Sequence, residues 1–262
     1  MCRLLTYFGM PAVLEDLLYE PEHSLIIQSY KPKEMISGTV NADGFGIGWY
    51  HPQKDVKPFT YKSTLPIWND VNLPSLSRYI ESGCILSYVR SATPQQPLDL
   101  SNCQPFTYGN LLFTHNGRID KFHKTLCRPI RNILSDKIYG IISGNTDSEH
   151  IFALILNNCQ KYPKKTLEQS LYTTLLELQE LAESYQTNVY ANVTISDGKR
   201  LVAARFATKP PAPSLYWLQD KSKDTNPIII ASEPLFSGNW TNFPENSIIN
   251  AGEDGYINIQ QI

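Results

Sequence analysis

Val189-Tyr190-Ala191-Asn192-Val193-Thr194-Ile195-Ser196, then Asp197-Gly198, then Arg200-Leu201-Val202-Ala203-Ala204-Arg205-Phe206-Ala207 sets the architecture. Both runs carry β-branched and aromatic residues, and an Asp-Gly step between such runs is a strong short-range hairpin signal. The stretch therefore predicts two antiparallel strands. Downstream, Leu215 to Leu218, Ile228 to Ser232, Ser247 to Ala251 and Tyr256 to Ile262 continue the strand-like pattern, with a turn at Asp254-Gly255. Upstream, Leu167, Leu171, Leu175, Leu178 and Leu181 fall at spacings of three and four between Thr166 and Tyr185, which predicts a helix with one apolar stripe. An apolar helix from Ser148 to Asn158 precedes it. Stripes of this kind are buried against a sheet.

The N-terminal half returns to strands. Arg3 to Phe8 reads as a short buried strand ending at Gly9-Met10-Pro11, followed by a short helix from Leu14 to Tyr19. In Gly44-Phe45-Gly46-Ile47-Gly48-Trp49-Tyr50, large side chains alternate with glycine, the pattern of a strand approached closely by other backbone. Cys84 to Arg90 and Leu111 to His115 are further strands, and Asn69 to Ser82 has weak helical spacing. Strands at both ends around central helices give an α+β class with layered, mostly antiparallel sheets. No internal repeat and no dividing linker interrupts residues 1–262, so one domain is expected.

A chain of 262 residues can bury about 75% of its extended surface, and 42% hydrophobic with 18% charged residues excludes disorder as its main state. The 23 basic and 25 acidic residues are mixed, with no basic stripe for nucleic acid or an anionic membrane, so a small-molecule ligand is expected. Cys2, Cys84, Cys103, Cys127 and Cys159 are scattered and form no C-x-x-C pair, which argues against a disulfide framework and a zinc site. No apolar run approaches the roughly 18 residues of a membrane span. The N-terminal stretch is broken by Gly9, Pro11, Glu15 and Asp16 and shows no A-x-A cleavage pattern, so a cytoplasmic protein is expected. The histidines lack metal-ligand spacing, and neither G-x-S-x-G, G-x-G-x-x-G nor a phosphate loop occurs, so no metal or other cofactor is expected.

Cys2 is the most informative position. Removal of Met1, which small second residues generally permit, would leave a thiol and a free α-amino group on one residue. An α-amino group with a pKa of about 7.7–8.0 is near the optimum for a general base at neutral pH, so Cys2 could supply both nucleophile and base. Cys2 equally reads as a small apolar side chain opening a strand. His115-Asn116-Gly117 has a structural reading as an Asn-Gly hairpin turn. Its functional reading is an oxyanion site made by the Asn116 amide and the Gly117 N–H. Arg90 closes a strand and opens the loop Ser91-Ala92-Thr93-Pro94, where a guanidinium can grip a carboxylate, or simply lie on the surface. Thr146-Asp147-Ser148-Glu149 has the form of a capping box that needs only Thr146 and Glu149. Asp147 is thereby left for an ammonium group or for the helix dipole. His150 is expected to be solvated or packed, not catalytic.

Taken together, Met1-Cys2-Arg3-Leu4-Leu5, Asn41-Ala42-Asp43-Gly44-Phe45-Gly46, Val89-Arg90-Ser91-Ala92-Thr93, His115-Asn116-Gly117 and Thr146-Asp147-Ser148-Glu149 resemble the class II glutamine amidotransferases. The likeness extends to Ala231-Ser232-Glu233-Pro234-Leu235 and Trp240, so it covers nearly the whole chain. It is nearest the stand-alone branch with the ergothioneine-pathway γ-glutamyl amidase and the fungal glutathione-degrading subunit. Pro21-Glu22-His23-Ser24-Leu25 and Gln28-Ser29 lean towards the former.

The resemblance implies the four-layer α-β-β-α sandwich of N-terminal nucleophile hydrolases. It implies Cys2 as nucleophile, Asn116 and Gly117 as oxyanion site, Arg90 with Thr93 for the substrate α-carboxylate and Asp147 for its α-ammonium. Asp43 is given structural support only. The substrate implied is a small γ-glutamyl amide, and the arrangement as a homo-oligomer or with a partner enzyme stays open. Ser91 and Pro94 replace the tryptophan and histidine of sugar-amidating members. The readings carried forward are a γ-glutamyl amide hydrolase, a glutaminase or glutathione-cleaving subunit with a partner chain, and an inactive binding module. A bile-salt-type acylase, which also starts Met-Cys, does not explain the amino-acid pocket.

Overall fold

In an antiparallel sheet successive side chains leave opposite faces, so a strand that is apolar at consecutive positions must be covered on both sides. The first strand, with Leu4 and Leu5 both buried, is of this kind. The computed structural model describes residues 2–34, 38, 40–51, 53–92, 97–220, 226–252 and 255–262. The strands are β1 (Arg3–Val13), β2 (Phe45–His51), β3 (Asp55–Ser63), β4 (Glu81–Val89), β5 (Phe106–Tyr108), β6 (Leu111–Ile119), β7 (Val189–Ser196), β8 (Arg200–Ala207), β9 (Tyr216–Gln219), β10 (Ile228–Ala231), β11 (Thr241–Asn242), β12 (Ser247–Gly252) and β13 (Ile257–Gln261). Among the described residues they form two sheets, in the orders β11-β9-β10-β1-β4-β2-β3 and β13-β12-β8-β7-β6-β5. Each paired ladder is antiparallel.

The helices are α1 (Leu14–Leu18), α2 (Leu25–Tyr30), α3 (Leu73–Ser77), α4 (Cys127–Ile133), α5 (Asp136–Tyr139), α6 (Asp147–Lys161) and α7 (Leu167–Ser184). The alternation of the strands sorts apolar side chains into three clusters. Between the sheets, Leu4, Leu86 and Tyr88 meet Leu112, Leu201, Ala203 and Ile249. On the outer face of the first sheet, Leu5, Ile47 and Ile85 are covered by Leu14, Leu18, Leu25 and Leu73 of α1, α2 and α3. On the outer face of the second, Phe113, Val193 and Val202 are covered by Ile151, Leu154, Leu171 and Leu175 of α6 and α7. Three interfaces between stacked elements make four layers, the α-β-β-α sandwich implied by the sequence.

The inter-sheet interface is not wholly apolar. Thr6 Oγ1 lies 2.8 Å from Thr194 Oγ1, which lies 2.6 Å from Thr114 Oγ1. All three residues are fully buried. A hydroxyl both donates and accepts, so a chain of three satisfies its members while fixing β1 against β6 and β7.

Several expectations are met to within a residue or two, and β7 and β8 have the predicted bounds. The departures have identifiable causes. β1 does not stop at Pro11 but passes through a register shift between Phe8 and Ala12. The helical spacing of Asn69 to Ser82 yields only the five residues of α3, because β4 already begins at Glu81. β3 escapes the pattern reading because Lys57, Pro58 and Lys62 interrupt it, yet it is an edge strand, where proline is tolerated. Asp254 of the expected turn lies outside the described residues.

His150 is buried in α6, so it is packed. Its Nδ1 lies 2.7 Å from the Thr146 carbonyl oxygen and Arg131 Nε donates to its Nε2 at 2.8 Å. Nδ1 therefore carries the proton and the ring is neutral. Burial, with the Arg131 charge, pushes its pKa down to about 4, against the bond to Thr146. An unfolded chain takes up this proton first as the pH falls, so the resulting loss of stability begins near pH 6.5 and is complete near pH 4. Going from pH 7 to pH 5 is expected to cost about 2 kcal/mol through this residue. Urea unfolding of the wild type and of His150→Gln at both pH values checks this, the variant losing less on acidification.

Candidate active site

Cys2 stands at the open end of β1, just ahead of the Arg3–Val89 pair that joins β1 to β4. Arg90 follows Val89, so the candidate thiol and the candidate guanidinium lie at neighbouring strand ends. The half-buried Cys2 Sγ accepts the Ser91 N–H at 3.3 Å and lies 3.5 Å from the Ser91 carbonyl oxygen. Arg90 is buried rather than spread on the surface, with Nη1 3.4 Å from the carbonyl oxygens of Asp43 and Pro97. The Asp43 carboxylate accepts the Ala92 N–H at 2.8 Å, and its own N–H reaches the Arg90 carbonyl at 3.0 Å. Asp43 thus supports the segment that carries Arg90. Thr93 lies outside the described residues.

β6 brings the second set of groups from the other sheet. His115, Asn116 and Gly117 all lie inside this strand, paired with Val193, Asn192 and Ala191 of β7. The hairpin-turn reading of Asn116-Gly117 is therefore wrong. Glycine is needed there for a different reason: a Cβ at Gly117 would overlap the carbonyl oxygen of Tyr190. The N–H groups of His115 and Ile119 leave the strand away from β7, towards Gln104 Oε1 and Asp147 Oδ2 respectively. Alternate N–H groups of a strand point the same way, so that of Gly117 leaves by the same edge.

Asn116 is fully buried. Its Nδ2 lies 3.1 Å from Ser232 Oγ, which also accepts the Leu4 N–H at 3.0 Å. Its Oδ1 is buried without a hydrogen-bond partner among the described residues. One serine hydroxyl therefore joins the Asn116 side chain to the strand that carries Cys2.

The capping box is only half formed. Thr146 accepts the Glu149 N–H at 3.2 Å as expected. The Glu149 carboxylate instead accepts from Ser143 N at 2.7 Å and Gly144 N at 2.8 Å. Nor is Asp147 idle, since it accepts from Ile119 N at 2.8 Å and Ser148 N at 2.8 Å. A carboxylate has about four lone-pair sites, so capacity for a cation remains. Two strand positions, about 7 Å, separate Gly117 from the Ile119 N–H that Asp147 holds. His115 links the same elements, with Nε2 donating to Tyr190 O at 3.1 Å and Nδ1 2.8 Å from Ser148 Oγ. Burial lowers its pKa, against Asp147 and the Tyr190 carbonyl, and keeps it neutral.

Some residues of this region are not visible to a motif reading. Tyr88 is buried on the inner face of β4, and burial and then the Cys2 thiol push its hydroxyl well above the usual tyrosine range. Arg90 acts on it in the opposite sense and Asp147 in the same sense, so the fields of three candidate residues meet at one phenol. Arg3 and Glu233 are both buried. Arg3 Nε and Nη2 reach Glu233 Oε1 at 2.8 and 2.7 Å, and Arg3 Nη1 donates to the Cys2 carbonyl at 3.0 Å. Glu233 also receives the amides of Lys33 and Glu34 at 2.8 and 2.9 Å, with His23 Nε2 at 2.6 Å. Burial alone would raise its pKa, but these partners together hold it below the ordinary carboxylate value. A charge inside the apolar run Cys2-Arg3-Leu4-Leu5 was the available signal, because a buried arginine requires a partner.

A cavity of about 760 Å³ lies elsewhere. It is lined by Phe8, Met10, Trp49, Tyr79 and Ile257 at the far end of β1, and contains none of the groups above. The candidate groups lie instead towards the Cys2 end, where the thiol meets the Ser91 N–H beside the buried Arg90 and Ser232 bridges Leu4 to Asn116.

A family model for class II glutamine amidotransferases matches residues 19–209. The chain belongs to the class II glutamine amidotransferases. It is 31% identical to the probable glutamine amidotransferase DUG3 of Saccharomyces cerevisiae, over 95% of this chain and 81% of that one. It is 29% identical to the gamma-glutamyl-hercynylcysteine sulfoxide hydrolase of Mycolicibacterium smegmatis, over 95% of both. Among solved structures, a glutamine aminotransferase class-II domain protein from Silicibacter pomeroyi superposes over 99% of both chains with a TM-score of 0.72 and 25% identity. The glutamine phosphoribosylpyrophosphate amidotransferase of B. subtilis shares the fold, with a TM-score of 0.68 at 16% identity over 99% of this chain and 49% of that one. This class II amidotransferase is thus an enzyme on the N-terminal nucleophile hydrolase sandwich.

Gly117→Ala is expected to destabilise this amidotransferase by about 1–3 kcal/mol, the usual cost of overpacking a filled site. Urea denaturation compared with the wild type measures it.

Proposed function

We propose that this amidotransferase hydrolyses a γ-glutamyl amide, with Cys2 as its N-terminal nucleophile after loss of Met1, and that residues 1–262 act as one domain. The observation that carries this reading is the approach of the Cys2 end of β1 and the body of β6, one from each sheet. The Cys2 thiol accepts the Ser91 N–H, and the Asn116 amide is tied through Ser232 to Leu4, two residues beyond the thiol.

In this mechanism the Cys2 sulfur attacks the γ-carbonyl carbon while the α-amine of the same residue takes the thiol proton. The carbonyl oxygen becomes an oxyanion facing the Asn116 amide and the Gly117 N–H. Each such donor is typically worth about 2.7–4 kcal/mol of barrier. Collapse breaks the C–N bond, and the leaving amine departs with the proton held by the α-amine. Water, deprotonated by that amine, attacks the γ-glutamyl thioester and releases glutamate and the thiol. Arg90 with Thr93 grips the substrate α-carboxylate and Asp147 its α-ammonium. Opposite charges held at two points turn the encounter into an oriented reaction.

For the amine side of the bond we favour a hercynylcysteine-type substrate. The mycolicibacterial relative, whose name specifies a gamma-glutamyl-hercynylcysteine sulfoxide, aligns over nearly all of both chains. The yeast relative, a probable glutamine amidotransferase of slightly higher identity, favours a second reading, release of ammonia from glutamine, and cleavage of glutathione with a partner chain belongs to the same alternative. Product analysis decides between them: a freed thio-histidine derivative, ammonia or cysteinylglycine.

Cys2→Ala is expected to abolish turnover of a γ-glutamyl amide while leaving the far-UV circular dichroism and melting temperature intact. Intact-mass measurement after diazo-oxo-norleucine treatment should show loss of Met1 and a single adduct on Cys2. Wild-type rates in the purified variant, or an adduct on another cysteine, overturn the assignment. Asp147→Asn is expected to weaken glutamate binding in titration calorimetry about tenfold or more, the scale of a lost charged hydrogen bond. Cys2 alkylation should be unchanged in that variant.

A further inference from the structure

Ser232 lies in the block Ala231-Ser232-Glu233-Pro234-Leu235, which the mechanism above leaves without a task. The residue is fully buried, and each of its polar groups is engaged. Its N–H donates to the Leu4 carbonyl at 3.0 Å, its own carbonyl accepts the Ser214 hydroxyl at 2.9 Å, and its Oγ accepts the Leu4 N–H at 3.0 Å. The backbone around it is therefore fixed, and the hydroxyl is held 3.1 Å from the Asn116 amide.

The two ends of a carboxamide have almost the same size and shape, so hydrogen-bond partners decide which end points where. If Asn116 turns its NH2 to Ser232, the hydroxyl oxygen receives two N–H donors and the Asn116 carbonyl oxygen is left buried and unpartnered. If the amide is turned by 180°, a single directed chain results. Leu4 N–H donates to Ser232 Oγ, the Ser232 O–H donates to the Asn116 carbonyl oxygen, and the NH2 takes the unpartnered position. An unpartnered buried acceptor is costly, whereas an NH2 there is a donor that a ligand oxygen can satisfy.

We propose that Ser232 is the positioning residue of the oxyanion site: its hydroxyl, polarised by the Leu4 N–H, holds the Asn116 amide with the NH2 towards the reacting carbonyl. The inference rests on the assignment of Asn116 as an oxyanion donor. Ser232 does not touch the reacting atoms. It acts through Asn116, and it couples that donor to the strand bearing the nucleophile.

The test is a double-mutant cycle on the mature enzyme with γ-glutamyl-p-nitroanilide as substrate. Ser232→Ala is expected to lower kcat about 10- to 100-fold, less than loss of an oxyanion donor itself, with KM within about twofold. Inhibition by glutamate γ-semialdehyde, whose thiohemiacetal with Cys2 carries the same oxygen, should weaken by a similar factor. Inhibition by L-glutamate and alkylation of Cys2 by iodoacetamide should not change. The double variant with Asn116→Ala should be no slower than Asn116→Ala alone, because one residue works through the other. If Ser232→Ala is not recovered folded, Ser232→Cys, close in volume but a weak donor, takes its place with the same expected loss. Unchanged kcat in the folded variant, parallel weakening of glutamate and semialdehyde, or a double variant well below Asn116→Ala overturns the proposal. If Asn116→Ala itself is as active as the wild type, the oxyanion assignment fails, and that result is separate from any outcome at Ser232.

Discussion

The sliding position of one sheet over the other is the quantity on which this molecule depends. The thiol hangs from β1 in the first sheet, and Asn116 and Gly117 hang from β6 in the second. An error of one residue in their alignment would move Asn116 by about 3.4 Å relative to the strand that bears the thiol and break the Ser232 bridge between them. Apolar contact alone is non-directional and holds such an alignment loosely. Directional bonds are set into the same interface: the Thr6, Thr194 and Thr114 hydroxyl chain, and the Ser232 hydroxyl between Leu4 and Asn116. Each is buried, where an unmade bond is expensive, so the interface has one low-energy alignment.

The electrostatics of the Cys2 end follow from which groups are permitted charge. Burial keeps His115 neutral against the pull of Asp147, and burial and the Cys2 thiol act together to keep Tyr88 neutral. Neutral His115 can then serve as a rigid tie between β6 and α6. Charged side chains at this end include Arg90 and Asp147, together with Asp43 and the Arg3–Glu233 pair. Asp147 combines duties: it anchors the start of α6 to the last residue of β6 and leaves lone pairs over.

Much of this was legible in the sequence. The period-two and period-three-to-four patterns of Val189 to Ala207 and Thr166 to Tyr185 carry their own local geometry, and those elements came out almost as read. Motif spacing brought Cys2, Arg90, Asn116, Gly117 and Asp147 to notice, and they gather at one end of the sandwich. What stayed hidden depends on contacts distant in sequence. Asn-Gly reads locally as a turn, and only the Tyr190 carbonyl, supplied by a strand far along the chain, shows why glycine occupies a strand centre. Glu149 fits a capping box by spacing, but the nearby Ser143 and Gly144 amides compete successfully for its carboxylate. Ser232 and Glu233 gain their meaning only when β10 is laid against β1.

The Arg3–Glu233 pair has a further bearing on the history of the chain. Glu233 gathers Arg3, His23 and the amides of Lys33 and Glu34, while Arg3 holds the carbonyl of Cys2. Removing Glu233 alone strands the buried Arg3 charge, at a cost of about 3–5 kcal/mol, a large share of a typical domain's stability, whereas Glu233 without Arg3 keeps His23 and the two amides. Stepwise drift that begins at Glu233 is thereby penalised. A change at Glu233 therefore calls for a compensating change at Arg3 or a surplus of stability elsewhere, whereas Arg3 can change first at lower cost.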